Sequence, residues 1–240
     1  VRVVKERLVV ALDVDSPAAA LALAERLAGE AGVVKVGLEL FLRGGPNLVR
    51  DLRAAGPEVF LDLKFHDIPN TVAGAVRSAA ALGARFVTVH ASGGRSMLRA
   101  AAEAARGTGT CVLAVTVLTS LDGQDLEEAG WALAPREAAE RLASLAVESG
   151  IGGLVCSALE AREVRARAGA AAVLVTPGIR LPGDEAGDQK RTAAPDEAAR
   201  AGADYIVVGR PVTRSDDPAR AARRFAALFA EGFAARGGER

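Results

Sequence analysis

Eight short runs of β-branched and other apolar residues, each followed by an alanine-rich helical stretch, set the strongest limit on what this chain can fold into. The runs fall at residues 8–13 (LVVALD), 33–38, 59–64, 86–90, 111–117, 153–156, 172–176 and 205–208. Strand and helix alternate without a break, which favours parallel strands in repeating strand–helix units. Strands that are apolar along their length suit a sheet covered by helices. Closure into a (β/α)8 TIM barrel accounts for the count of eight. A doubly wound open sheet is the alternative on pattern alone. Local signals agree with the alternation: Ser16 is placed to cap a helix that opens at Pro17. Gly44-Gly45-Pro46 announces a helix from about Pro46, and further helices follow Pro69 and Gly93-Gly94.

At 240 residues the chain suits one such barrel, and no linker or low-complexity segment divides it, so residues 1–240 read as a single domain. Thirty basic and thirty acidic residues leave a formal net charge of zero. That is not the electrostatic footprint of a nucleic-acid or membrane-surface binder. Attraction to an anionic ligand therefore has to be local. The two cysteines, Cys111 and Cys156, lie in apolar runs and read as small buried hydrophobes of a reducing compartment. Neither has a partner at metal-ligand spacing, and only His66 and His90 are available to assist, so no zinc site is expected. No apolar stretch reaches the ~18 residues of a membrane span, and no basic-then-apolar leader opens the sequence. A cytoplasmic location is expected.

Two longer connections, at about 119–134 and 177–195, follow the fifth and seventh strands. Both leave the C-terminal end of a strand, where a barrel enzyme keeps its active site, and are candidate lids. Charges also interrupt the strands. In Phe60-Leu61-Asp62-Leu63-Lys64, alternation puts Asp62 and Lys64 on one face and the leucines on the other. Lys35 breaks the apolar second strand, Asp13 ends the first, and Asp67 lies three residues beyond Lys64. Burying charges costs several kcal/mol per ion unless they are paired, so a Lys-Asp-Lys-Asp cluster must be mutually compensating. A structural ion-pair plug is the plainer alternative for Asp62 and Lys64 alone, and Asp13 is also readable as a helix cap. His90 reads as a core or supporting histidine and His66 as a loop residue.

The eighth strand ends in Gly209, which permits close backbone approach, and Arg210, which offers a fork of donors. Barrels often bind phosphate in the loops after strands seven and eight, and the seventh loop supplies Gly178, Arg180 and Gln189. A surface ion pair is the alternative for Arg210. Together these features describe a charged, metal-free site for a phosphorylated small molecule.

The segments LVVALD, VKVGLELF, FLDLKFHDIPNT, HASGG, AVTVLTSL, VCSALEA, VTPGIR with GDQKR, and VVGRPVT occur in this order. In this set the chain resembles the bacterial branch of the orotidine 5'-monophosphate decarboxylase family over nearly its whole length. The resemblance implies that the chain converts this substrate to UMP without a metal or organic cofactor. It implies Lys64 as proton donor, in a network with Lys35, Asp62 and Asp67. Asp67, Ile68 and Thr71 would reach into a neighbouring subunit's site, which makes the expected unit a homodimer. Asp13, assisted by Lys35, would hold the ribose hydroxyls, and Thr119 and Ser120 would contact the pyrimidine. Pro177, Arg180, Gln189, Gly209 and Arg210 match the substrate-binding positions of the last two loops, with Arg180, Gln189, Gly209 and Arg210 at the phosphate end.

The chemistry suits these residue types. Loss of CO2 from C6 leaves charge in an in-plane orbital that the ring does not readily delocalise. With no cofactor sink coded, fixed electrostatics must stabilise it, and an ammonium beside C6 does so and then supplies the proton. Two competing readings are a magnesium-dependent sugar-phosphate decarboxylase or aldolase of the same superfamily and a non-catalytic nucleotide-binding barrel. Lys35, where those magnesium enzymes usually carry a glutamate, argues against the first. The complete Lys-Asp-Lys-Asp set argues against the second.

Overall fold

The computed structural model describes residues 2–185 and 189–238. The eight apolar runs become β1 (Leu8–Ala11), β2 (Val33–Gly37), β3 (Glu58–Phe65) and β4 (Phe86–His90), then β5 (Cys111–Val115), β6 (Gly153–Val155), β7 (Val173–Thr176) and β8 (Tyr205–Val208). Each strand pairs in parallel with the next, and β8 pairs with β1, closing the barrel. The open-sheet alternative is thereby excluded. Several strands stop one or two residues short of their apolar runs, since pairing ends where the loops turn away to form the barrel mouth.

The helices are α1 (Arg2–Lys5), α2 (Pro17–Arg26), α3 (Leu38–Ala54), α4 (Pro69–Ala81), α5 (Gly94–Ala105) and α6 (Gly123–Glu128). They continue with α7 (Pro135–Glu148), α8 (Ala161–Ala168), α9 (Pro195–Ala201), α10 (Arg210–Thr213) and α11 (Pro218–Gly238). Ser16 caps α2 by accepting from the Ala19 N–H at 3.2 Å, which leaves Asp13 for another role. Two expectations need correction. Helix α3 begins directly after β2 and is interrupted at Gly45, so Pro46 opens its second half and not the whole helix. The connection after β5 is not all loop. Asp122 accepts from the Gln124 and Asp125 N–H groups, and the Asp125 carboxylate accepts from the Asp122 N–H, a reciprocal cap that starts α6.

Two apolar layers follow from strand alternation. Val9, Ala11, Val33, Phe60, Phe86, Leu113, Val175 and Val207 pack inside the barrel. Their sequence neighbours Val10, Val34, Leu61, Val87, Leu174 and Ile206 face outward into the helix layer. Continuing the inward series past its apolar residues fixes what the barrel mouth contains: Asp13 after Ala11, Lys35 after Val33, Asp62 and Lys64 after Phe60, and Gly209 after Val207.

Candidate active site

Those inward positions line a cavity of about 620 Å³ at the C-terminal end of the strands, a volume in the range of small-molecule sites. At its floor Lys64 Nζ lies 2.8 Å from Asp62 Oδ1, and Lys35 Nζ lies 3.4 Å from Asp62 Oδ2 and 3.5 Å from Asp13 Oδ1. Register explains the grouping, because Ala11 is paired with Lys35 and Gly37 with Asp62 across neighbouring strands. The side chains of Lys35 and Asp62 are only 13% and 14% exposed, whereas Asp13 stands at the rim with 58% exposed.

Lys64 is held by an irregularity that alternation alone does not predict. Leu61 pairs with Val87 but Phe65 pairs with Val89, so β3 carries two extra residues opposite β4. Within that bulge Lys64 has φ 48°, and among the described residues it alone combines a side chain with left-handed backbone. Such a conformation costs about 1–3 kcal/mol and persists where surrounding contacts over-determine it. Thr88 supplies those contacts. Its Oγ1 accepts from the Lys64 N–H at 2.9 Å and donates to Asp62 Oδ1 at 3.0 Å.

Burial by itself pushes the Asp62 carboxyl up. The ammonium groups of Lys35 and Lys64, with hydrogen bonds from Lys64 and Thr88, outweigh that and hold it below the ordinary aspartate value. Asp62 is therefore a carboxylate at neutral pH. His90, half-buried beside these groups, has its pKa lowered by burial, by His66 and by Lys64, with Asp62 opposing. The two imidazole rings lie 5.5 Å apart. His66 itself is exposed in the loop after β3.

The opposite side of the cavity is formed by Pro177, Gly178, Arg180 and Gln189 from the loop after β7, with Gly209 and Arg210 from the end of β8. Thr119 and Ser120 line it from the loop after β5, and the Thr119 hydroxyl donates to Gln189 Oε1. Gly187 and Asp188 of the GDQKR segment lie outside the described residues. Asp67, Ile68 and Thr71 do not reach this cavity. All three are exposed, and the Asp67 carboxylate accepts from the Ile68 N–H at 2.6 Å. Four contributors escaped the sequence reading. Thr88 hides in an ordinary strand pattern, and Arg214 lines the cavity one turn after Arg210. Arg191 and Glu160 form a buried ion pair between loops 31 positions apart. Among the described residues no group of three or more His, Cys, Asp or Glu is placed to hold a metal ion. No helix among them is long and apolar enough to cross a membrane.

An anion-ready end, a charged floor and a (β/α)8 frame are shared by many enzymes, so comparison with known proteins decides between them. The family described as Orotidine 5'-phosphate decarboxylase / HUMPS matches residues 6–225. The chain belongs to this family. Its description joins two enzyme types, and the curated relatives separate them. An orotidine 5'-phosphate decarboxylase of Anaeromyxobacter dehalogenans is 56% identical over 222 residues, 92% of this chain and 97% of that protein. One from Halorhodospira halophila is 57% identical over 227 residues, 93% and 96% of the two chains. The crystal structure of orotidine 5'-phosphate decarboxylase from Lactobacillus acidophilus superposes with a TM-score of 0.82 at 37% identity, covering 92% of this chain and 98% of that one.

Proposed function

We propose that the chain decarboxylates orotidine 5'-monophosphate to UMP without a metal or organic cofactor. The observation that carries this reading is the Lys35–Asp62–Lys64 cluster on the cavity floor, with arginines and Gln189 across the same cavity. Its assignment to this substrate rests on family membership and on the decarboxylase relatives. In the proposed step the bond from C6 to the carboxylate breaks, CO2 leaves and the electron pair stays on C6. The Lys64 ammonium stabilises that charge and then transfers one proton from Nζ to C6, ending as a neutral amine. Asp62 orients Lys64 through the 2.8 Å contact. Lys35 keeps Asp62 ionised and, with Asp13, meets the ribose hydroxyls. Thr119 and Ser120 take the pyrimidine, Pro177 contributes to substrate binding, and Arg180, Gln189, Gly209 and Arg210 take the phosphate end. Binding energy from that remote phosphate assembles the site and so raises kcat as well as affinity.

The active unit in this reading is a cytoplasmic homodimer in which Asp67, Ile68 and Thr71 of each protomer complete the other's site. Two surface features support it. Residues 66–71 are exposed throughout, with Ile68 67% exposed. A further depression of about 250 Å³ opens beside Lys35, Asp62 and Lys64, walled by the half-exposed Leu38. A segment of a second copy, ending in an aspartate, would place its charge against these lysines.

The test is conversion of orotidine 5'-monophosphate in excess chelator, followed by pyrimidine absorbance, with Lys64→Ala in parallel. The wild type should turn over undiminished, and K64A should fall by at least about a thousandfold, given that it loses both a general acid and an electrostatic stabiliser. K64A should keep the wild-type circular dichroism. Substantial K64A turnover would exclude the proton-donor role. No conversion of orotidine 5'-monophosphate by the wild type would favour the sugar-phosphate branch, tested next as turnover of a sugar phosphate with magnesium restored.

A further inference from the structure

We infer that Arg191, locked by Glu160, is a positioning residue that couples the phosphate side of the cavity to the pyrimidine side. This rests on the proposed decarboxylase reading. The segment after β7 leaves the barrel and returns to it. The Arg180 N–H donates to the Ala193 carbonyl at 3.0 Å, and the Ala193 N–H to the Gly178 carbonyl at 3.2 Å. Its returning limb carries Gln189, which lines the cavity, and two residues later Arg191, which does not. Arg191 Nη2 donates to the carbonyls of Val117 at 3.1 Å and Leu118 at 3.0 Å, and Nη1 meets the Glu160 carboxylate. Glu160 in turn accepts from the Ser157 N–H at 3.2 Å. One guanidinium thus joins the segments that follow β5, β6 and β7.

The pair is buried, with the Arg191 and Glu160 side chains 11% and 2% exposed. Buried ions hold one geometry strongly because either partner alone would be left uncompensated. The planar fork of arginine serves a carboxylate and two carbonyls in a fixed plane, which an ammonium on a flexible stem does not. Val117, Leu118, Thr119 and Ser120 are consecutive and line the cavity. Fixing the first two carbonyls therefore sets where Thr119 and Ser120 stand. When phosphate engages Arg180, Gln189 and Arg210, the returning limb is fixed, and Arg191 passes that position to the pyrimidine side. Arg191 touches no reacting atom. Its contribution is the share of catalysis that the phosphate confers.

That share is measured by comparing two substrates. We would determine kcat/KM of wild type, Arg191→Lys and Glu160→Gln for orotidine 5'-monophosphate and for orotidine, which lacks the phosphate, below each variant's melting temperature. R191K should lose about 10- to 100-fold on the phosphorylated substrate, the range of typical coupling between sites. Its turnover of orotidine should fall by a much smaller factor, because only the displacement of Thr119 and Ser120 then counts. E160Q keeps the acceptor for Ser157 but loses the charge, and should show the same selective loss to a smaller degree. Equal losses on both substrates would mean a merely structural pair and overturn the inference, as would unchanged kinetics in both variants. A wild type inactive on orotidine 5'-monophosphate would instead overturn the functional reading beneath it.

Discussion

At the scale of single residues, the floor of the cavity combines two departures from ordinary barrel chemistry. Asp62 is a largely buried carboxylate flanked by two ammonium groups, and Lys64 occupies left-handed backbone. Thr88 reconciles both, bonding the Asp62 side chain and the Lys64 backbone with one hydroxyl. Beside them His90 offers a pH-dependent probe of the same environment. Its folded pKa lies below the ordinary 6.5, with burial the largest cause. A depressed pKa means that the unfolded chain binds the proton more readily, so the contribution to stability is present above pH 6.5 and is lost as pH falls through the folded value. His90→Asn should therefore flatten the stability profile below pH 6.5, by at most about 1.4 kcal/mol per pH unit. Urea denaturation of wild type and variant at intervals from neutral pH down to about 5 checks it, because Glu160, whose carboxyl burial pushes up to about 6, is common to both and cancels in the difference. An unchanged slope would mean that His90 titrates alike in both states. The charges at this scale were legible because each breaks an apolar run. Thr88 was not, since a threonine is an ordinary strand residue whose partner lies 26 positions away.

At the scale of elements, the segment after β7 depends on one glycine. Gly178 has φ +76°, and a Cβ there would stand 2.7 Å from the Arg191 carbonyl oxygen. Gly178→Ala adds a left-handed penalty of about 1–2 kcal/mol and a clash with the limb that carries Gln189 and Arg191. It should destabilise the fold by roughly 2–4 kcal/mol, strain and overpacking taken together, and raise KM severalfold. Gly183 is the control, with φ +91° and nothing within 4 Å of its notional Cβ. G183A should show the strain alone, and similar losses in both variants would remove the role assigned to the close approach. The strands themselves were legible from their apolar runs, since parallel strands buried on both faces leave an uninterrupted signal. Two helical pieces were not. Leu38, Leu40 and Phe41 follow the apolar run of β2 with only Glu39 between them and do not mark the change to helix, and the Asp122/Asp125 cap of α6 was lost in a stretch read as loop. The β3 bulge leaves no mark either, because alternation through Phe60, Asp62 and Lys64 gives the correct face even though the ladder slips.

At the scale of the whole molecule, the single chain leaves Asp67, Ile68 and Thr71 exposed while a depression beside Lys35 and Lys64 stands open. If each site takes Lys64 from one protomer and Asp67 from the other, two defective chains should repair one another. Lys64→Ala and Asp67→Ala homodimers should each be nearly inactive. In a mixed dimer, one site combines both defects and the other has neither. Random exchange makes half of the dimers mixed, so the mixture should recover about a quarter of the wild-type activity per site. The measurement is turnover of orotidine 5'-monophosphate before and after the two variants are mixed and partially unfolded to allow exchange. Mass spectrometry of differently labelled chains should confirm that mixed dimers have formed. With mixed dimers present, an unchanged low rate would place Lys64 and Asp67 in the same protomer's site. Regained activity would instead assign Asp67 to the partner's cavity, because no arrangement within one chain can restore a site from those two variants.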